Sequence, residues 1–174
     1  MFRYRPLLNL LRPYLISGRL PGQDFTRTPQ IEFYDKGLPL QSHTLLLDEN
    51  GAMVGDPVAY RDSRTEGMDK AVEALISPQA LYERTGIQKQ SFNTIYQLMA
   101  LKQEHPEQLE KAASLLMIPD YLGFLLTGVK KQEYTNATTT GLVNAKTGTF
   151  DLEIIKKLGL PEHLFPELRQ PGTV

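Results

Sequence analysis

With 174 residues, 41% of them hydrophobic and 22% charged, the chain is long enough for one cored globular domain, which excludes disorder as its ordinary state. A net charge of -1 sets up no field of either sign, so neither nucleic acid nor an anionic membrane surface is expected as a partner. Having no cysteine, it holds no disulfide, thiolate metal site or thiol nucleophile, which fits a reducing compartment, and the cytoplasm is the expected location.

Residues 1–35 stand apart in composition. They hold five of the nine arginines (Arg3, Arg5, Arg12, Arg19, Arg27), none of the ten lysines, and Pro6, Pro13, Pro21 and Pro29. The leucines from Leu7 to Leu11 stop at Arg12 and Pro13, short of a secretory apolar region. Three readings of this segment stand: a loosely packed extension, a functional arm, or the product of a displaced start or shifted frame, which the upstream DNA would reveal.

Helix and strand patterning begins after Lys36. Leu45 to Leu47, the turn Asp48-Glu49-Asn50-Gly51, and Val54 to Tyr60 predict a β-hairpin over 44–60. Ser63 and Glu66 have capping-box spacing, and Met68, Ala71, Val72, Leu75 and Ile76 recur on one helix face. Ser77-Pro78 opens a second helix, closed by Thr85-Gly86. A third, carrying Ile95, Leu98, Met99 and Lys102, ends before Pro106; a fourth covers Glu107 to Leu116; a fifth runs from Pro119 to Thr127-Gly128. The apolar stretch Leu115 to Leu126 contains Pro119, Asp120 and Gly123 and falls short of the roughly 20 residues a membrane span needs, so no membrane helix is expected. Tyr134 to Thr140 is polar and β-prone and reads as extended, with Thr138 to Thr140 as strand; Asn144 to Gly148 is a turn; Asp151 caps a last long helix through Lys157. The class is α/β, mostly helical, with no internal repeat.

Familiar catalytic motifs are absent. There is no Gly-x-x-x-x-Gly-Lys-Ser/Thr, no Gly-x-Gly-x-x-Gly and no Gly-x-Ser-x-Gly, and His43, His105 and His163 do not have metal-ligand spacing. The residues alone give a soluble α/β domain with polar patches at 61–66, 91–94 and 134–140.

The ordered motifs carry more. "LLLDENGAMVGDPVAYRDSRTEGM", "RTGIQKQSFNTIYQLMAL", "LLMIPDYLGFLLTG" and "EYTNATTTGLVNAKTGTFD" resemble the rhamnulokinases, sugar kinases of the family that includes glycerol, xylulose and fucose kinases, from about Thr44 to Val174. The resemblance implies an actin-like, ribonuclease H-like fold of two domains with sugar and MgATP in the cleft between them. It implies transfer of the γ-phosphoryl group to L-rhamnulose, giving L-rhamnulose 1-phosphate, with an aspartate as base and a glycine-containing hairpin around the phosphates.

Parts of that pattern have no match here. Residues 1–43 contain nothing like the phosphate hairpin Asp-x-Gly-x-Ser-Ser-Gly-Arg, and Tyr34 to His43 stand where Gly-x-Asp-Thr-Trp-Gly-Val-Asp is expected. The His-Asp-Thr segment with the catalytic aspartate is not found either. The resemblance therefore implies an atypical segment 1–43 followed by a partial kinase N-terminal domain, 44–174, that is inactive alone. MgATP belongs to the full-length family, and no cofactor site is supported by this chain. Uncovered strand edges are expected to promote self-association. A non-catalytic, partner-binding piece and a kinase for another ketose or polyol are the alternatives.

In the related kinases the region matching Ser91 to Thr94 lies near the sugar. Phe92 as an aromatic platform and Asn93 as a hydroxyl partner are the candidate contacts, against helix capping with Phe92 in the core. Arg61 and Asp62 either face the sugar cleft or form a hinge salt bridge.

Overall fold

A computed structural model describes residues 44–56, 58 and 62–173, all within one compact unit, Leu40–Val174. The reading of segment 1–43 lies outside the described residues. Strand β1 (Thr44–Leu47) begins the described chain and ends at the Asp48–Gly51 turn, where Asp48 N–H donates to Ala52 O at 2.9 Å and Gly51 takes a φ of 82°. The turn is as expected; of the predicted returning strand, Val54 to Tyr60, residues 57, 59 and 60 lie outside the described residues. Beyond the Leu47–Met53 bridge and a bond from Val54 N–H to Leu46 O, no second hairpin strand is described.

The partner of β1 comes from far along the chain. Strand β2 (Ser114–Met117) runs antiparallel to it, Leu45 facing Leu116 and Leu46 facing Leu115. The sequence pattern predicts these residues at the end of a helix over 107–116. That helix stops at Lys111, because Ala112 turns extended. A short apolar run fits a buried helix and a buried strand equally well by pattern, and here Leu115, Leu116 and Met117 are wholly buried in a strand.

Between the two strands lie α1 (Met68–Glu73), α2 (Pro78–Thr85), α3 (Thr94–Glu104) and α4 (Pro106–Lys111). Helix α2 follows its sequence signals: Ser77 Oγ accepts from Ala80 N–H, Pro78 occupies the first turn, and Gly86 closes it in the left-handed region. The start of α1 does not. Asp62, not Ser63, is the capping side chain, accepting from Arg64 N–H at 2.8 Å, and it caps only a single 3-10 turn, Ser63–Thr65. Glu66 ends that turn, and α1 begins two residues later without a side-chain cap.

Helix α5 (Ile118–Thr127) follows β2 and ends at Gly128, as the sequence predicts. After β3 (Gln132–Glu133) comes α6 (Tyr134–Thr138), where an extended segment was expected. Its polar side chains explain the difference. Glu133 accepts from the N–H groups of Thr135 and Asn136, and the hydroxyls of Thr138, Thr139 and Thr140 each donate to the carbonyl three residues back. Local bonds of this kind outweigh the strand preference of threonine.

The hairpin of β4 (Val143–Asn144) and β5 (Thr149–Phe150) leads to α7 (Leu152–Lys157), capped by Asp151 as expected but only six residues long. Strand β6 (Leu168–Arg169) runs parallel to β3. One core joins these elements through Val72, Ile95, Leu98, Leu115, Leu142, Ile155 and Leu164. Among the described residues no helix is long and apolar enough to cross a membrane.

Candidate functional site

The N-terminal end of α3 is where the three polar patches of the sequence meet. Asn93 precedes the helix and is buried, and its amide is used at both ends: Oδ1 accepts from Gln90 N–H at 2.8 Å and Nδ2 donates to Thr139 O at 2.7 Å. Ile95 N–H adds a bond to Thr140 O at 2.9 Å. Patch 134–140 is thereby fastened to patch 91–94. Thr94 and Thr44 share a hydroxyl bond of 3.0 Å, which ties the same helix end to β1.

Gln97 makes the third connection. It lies one turn into α3 and is 3% exposed; Nε2 donates to Phe92 O at 2.7 Å and Oε1 accepts from Arg64 Nη2 at 3.3 Å. Arg64 in turn stands in the 3-10 turn that Asp62 caps. Burial pulls the Arg64 guanidinium below its ordinary value, against the opposing charges of Asp62 and Glu104.

The four predicted contacts are placed unequally. Phe92 is half-buried and Asn93 is buried, both at the start of α3; Asp62 is exposed on the linked turn; Arg61 lies outside the described residues. Arg64, Gln97, Thr44 and Thr139 were missed by sequence reasoning. A polar Gln97 amid the apolar positions Ile95, Leu98 and Met99 was the available signal, since a buried amide must find partners.

Two cavities flank this helix end. One, of about 110 Å³, lies between α1, α2 and the segment 87–96, with Ile76, Leu81 and Tyr96 among its walls. Lys89 pins its rim by reaching both Asp69 and Glu73 at 3.0 Å, and these bonds hold both carboxyls below their usual range. The other, of about 30 Å³, is lined by Thr44, Asp56, Arg64, Gln97 and Gln108 together with apolar groups. Its walls mix a hydroxyl, two amides, a guanidinium and the Asp56 carboxylate with apolar groups, and its size suits a water rather than a sugar. No group of three His, Asp or Glu side chains able to hold a metal occurs among the described residues.

Gly141 closes the site from behind. Its φ is 74°, and a Cβ there would stand 3.2 Å from Ile95 Cγ2. Gly141→Ala is expected to destabilise the chain by about 1–2 kcal/mol, from the left-handed backbone and the crowding of Ile95. Urea unfolding checks this; an unchanged midpoint contradicts it.

Comparisons with known proteins show the family. The model for the FGGY family of carbohydrate kinases, N-terminal domain, matches residues 39–174. A rhamnulokinase of Oceanobacillus iheyensis is 55% identical over 130 residues, covering 75% of this chain and 28% of that protein. A rhamnulokinase of Halalkalibacterium halodurans is 54% identical over 127 residues, covering 73% of this chain and 27% of that protein. Among solved structures, the gluconate kinase from Lactobacillus acidophilus superposes with a TM-score of 0.69 at 26% identity, over 76% of this chain and 27% of that one. The chain thus spans under a third of the length of these relatives.

Proposed function

The chain belongs to the FGGY family of carbohydrate kinases, as part of its N-terminal domain, and from that membership we propose that it serves a rhamnulokinase, contributing one wall of the site that binds L-rhamnulose. The observation that carries the choice of sugar is the 55% identity to the Oceanobacillus iheyensis rhamnulokinase, against 26% to the gluconate kinase. In this reading Phe92 offers the apolar face of the ketose a platform, and Asn93, Asp62 and Arg61 are the further candidate contacts, Arg61 lying outside the described residues. The full reaction in this reading is phosphorylation of L-rhamnulose by MgATP to L-rhamnulose 1-phosphate, in the cytoplasm.

In this reading nucleotide binding and the phosphoryl transfer itself fall to the part of the relatives' length that this chain does not span, because residues 1–43 hold nothing like the family's phosphate hairpin. Sugar binding is the property to test. Titration of the 174-residue chain with L-rhamnulose, followed by NMR, is expected to shift resonances of Phe92 and its neighbours at millimolar sugar, with gluconate and D-xylulose giving weaker shifts. Equal response to all three contradicts the choice of sugar, and no response contradicts the sugar wall itself.

A further inference from the structure

The cavity of about 110 Å³ between α1, α2 and the segment 87–96 is walled chiefly by apolar side chains, among them Val72, Ile76, Leu81 and Ile95. One buried polar group on its wall is unused. Tyr96 is 2% exposed, and its hydroxyl makes no hydrogen bond among the described residues. Ser114 Oγ and the Gln132 amide are sealed in protein without a partner, whereas the Tyr96 hydroxyl keeps access to open space. The ion-paired rim of Lys89, Asp69 and Glu73 acts on it through space.

The polar groups beside it are already engaged. Thr85 Oγ1 donates to Leu81 O at 2.9 Å, the Asn93 amide is held at both ends, and Lys89 Nζ reaches two carboxylates. With its charge answered in this way, Lys89 gives the mouth little pull on an anion. Burial pushes the Tyr96 phenol above its ordinary value, so the hydroxyl is protonated at neutral pH and can donate or accept. A water there would meet one free hydroxyl among apolar walls, where about two to four partners are usual. A ketose would set hydroxyls against hydrocarbon on most sides, which costs free energy. An apolar cavity of about 150 Å³ accepts benzene, and this smaller, partly open one leaves room for a small ring with one polar edge.

We propose that this cavity is a binding site for a neutral molecule with a ring-sized apolar body and one oxygen that pairs with the Tyr96 hydroxyl. Its walls come from α1, α2 and the entrance of α3, so an occupant fastens these three helices together. The site stands whether or not the chain binds L-rhamnulose.

The test titrates the 174-residue chain with phenol and, separately, with benzene, followed by NMR, with folding checked by thermal melts. Phenol is expected to shift resonances of Ile76, Leu81 and Tyr96 with a Kd of about millimolar order. Benzene, lacking the hydrogen bond, is expected to bind about fivefold more weakly. Tyr96→Phe keeps the ring and removes only the unpartnered hydroxyl, so it is expected to stay folded and to bind phenol no better than benzene. L-rhamnulose is expected to leave Ile76 and Leu81 unmoved. If phenol shifts none of the cavity residues, the site is overturned. If the parent and Tyr96→Phe bind phenol equally, the part given to the hydroxyl is overturned. If L-rhamnulose moves Ile76 and Leu81, the cavity belongs to the sugar wall and the class of ligand proposed for it is wrong.

Discussion

Asp151→Asn is expected to lower the stability of the chain by about 3 kcal/mol, the low end for breaking a buried ion pair, and its melting temperature by about 6–12 °C. Asp151 is 4% exposed and takes bonds from Arg84 Nε at 2.7 Å, Arg84 Nη2 at 2.8 Å, Asn144 Nδ2 at 2.9 Å and Ile154 N–H at 3.2 Å. One side chain thus caps α7, closes the β4–β5 hairpin and anchors α2. Asparagine keeps the shape, removes the charge and turns an N–H₂ toward the guanidinium. The low end applies because the Arg84 side chain is 36% exposed and its Nη2 also reaches Glu153 at 2.7 Å.

The same variant should change the response to acid. Burial by itself pushes the Asp151 carboxyl up, but Arg84, Asn144 and the Ile154 N–H outweigh it and hold the group below the usual carboxylate range. A depressed carboxyl contributes stability that is complete above the unfolded value of about 4 and is lost as the pH falls through the lower folded value. The gap in melting temperature between parent and variant should therefore be constant from about pH 5 to 8 and narrow below about pH 4. A gap that ignores pH would show that the pair contributes shape rather than charge.

Gln132→Met is expected to act in the opposite direction, raising stability by about 1–2 kcal/mol and the melting temperature by about 2–8 °C. Gln132 is 0% exposed in β3, and neither Oε1 nor Nε2 has a hydrogen-bond partner among the described residues. Methionine matches its length and removes both unpaired atoms, while the backbone pairing of Gln132 with Leu168 stays available. A lower melting temperature would mean that the amide is satisfied in solution and that its burial is favourable as it stands.

The local signals were legible because each is settled within a few residues. Ser77, Gly86, Gly128 and Asp151 cap or close helices where the sequence puts them, and Asp48 to Gly51 turns the chain. The four ordered motifs pointed to the sugar kinases, and the match to the FGGY N-terminal domain agrees. Other signals were ambiguous even locally. Ser63 and Glu66 have the spacing of a capping box, yet Asp62 one residue earlier supplies the cap by accepting from Arg64 N–H, while Glu66 N–H donates to the Ser63 carbonyl. The threonines of 138–140 carry strand propensity, yet their hydroxyls are close enough to their own backbone to favour a helical turn.

By itself, then, the sequence determined the family, the α/β class, and the caps and turns that divide the chain, since these depend on contacts between near neighbours or on motif order. Only the tertiary structure decided that β1 pairs with Ser114–Met117, some seventy residues away, that Gln97 joins Arg64 to Phe92, and that Asn93 clasps Thr139. Such contacts depend on which buried polar group finds a partner after the core has closed, and chain spacing does not encode that choice.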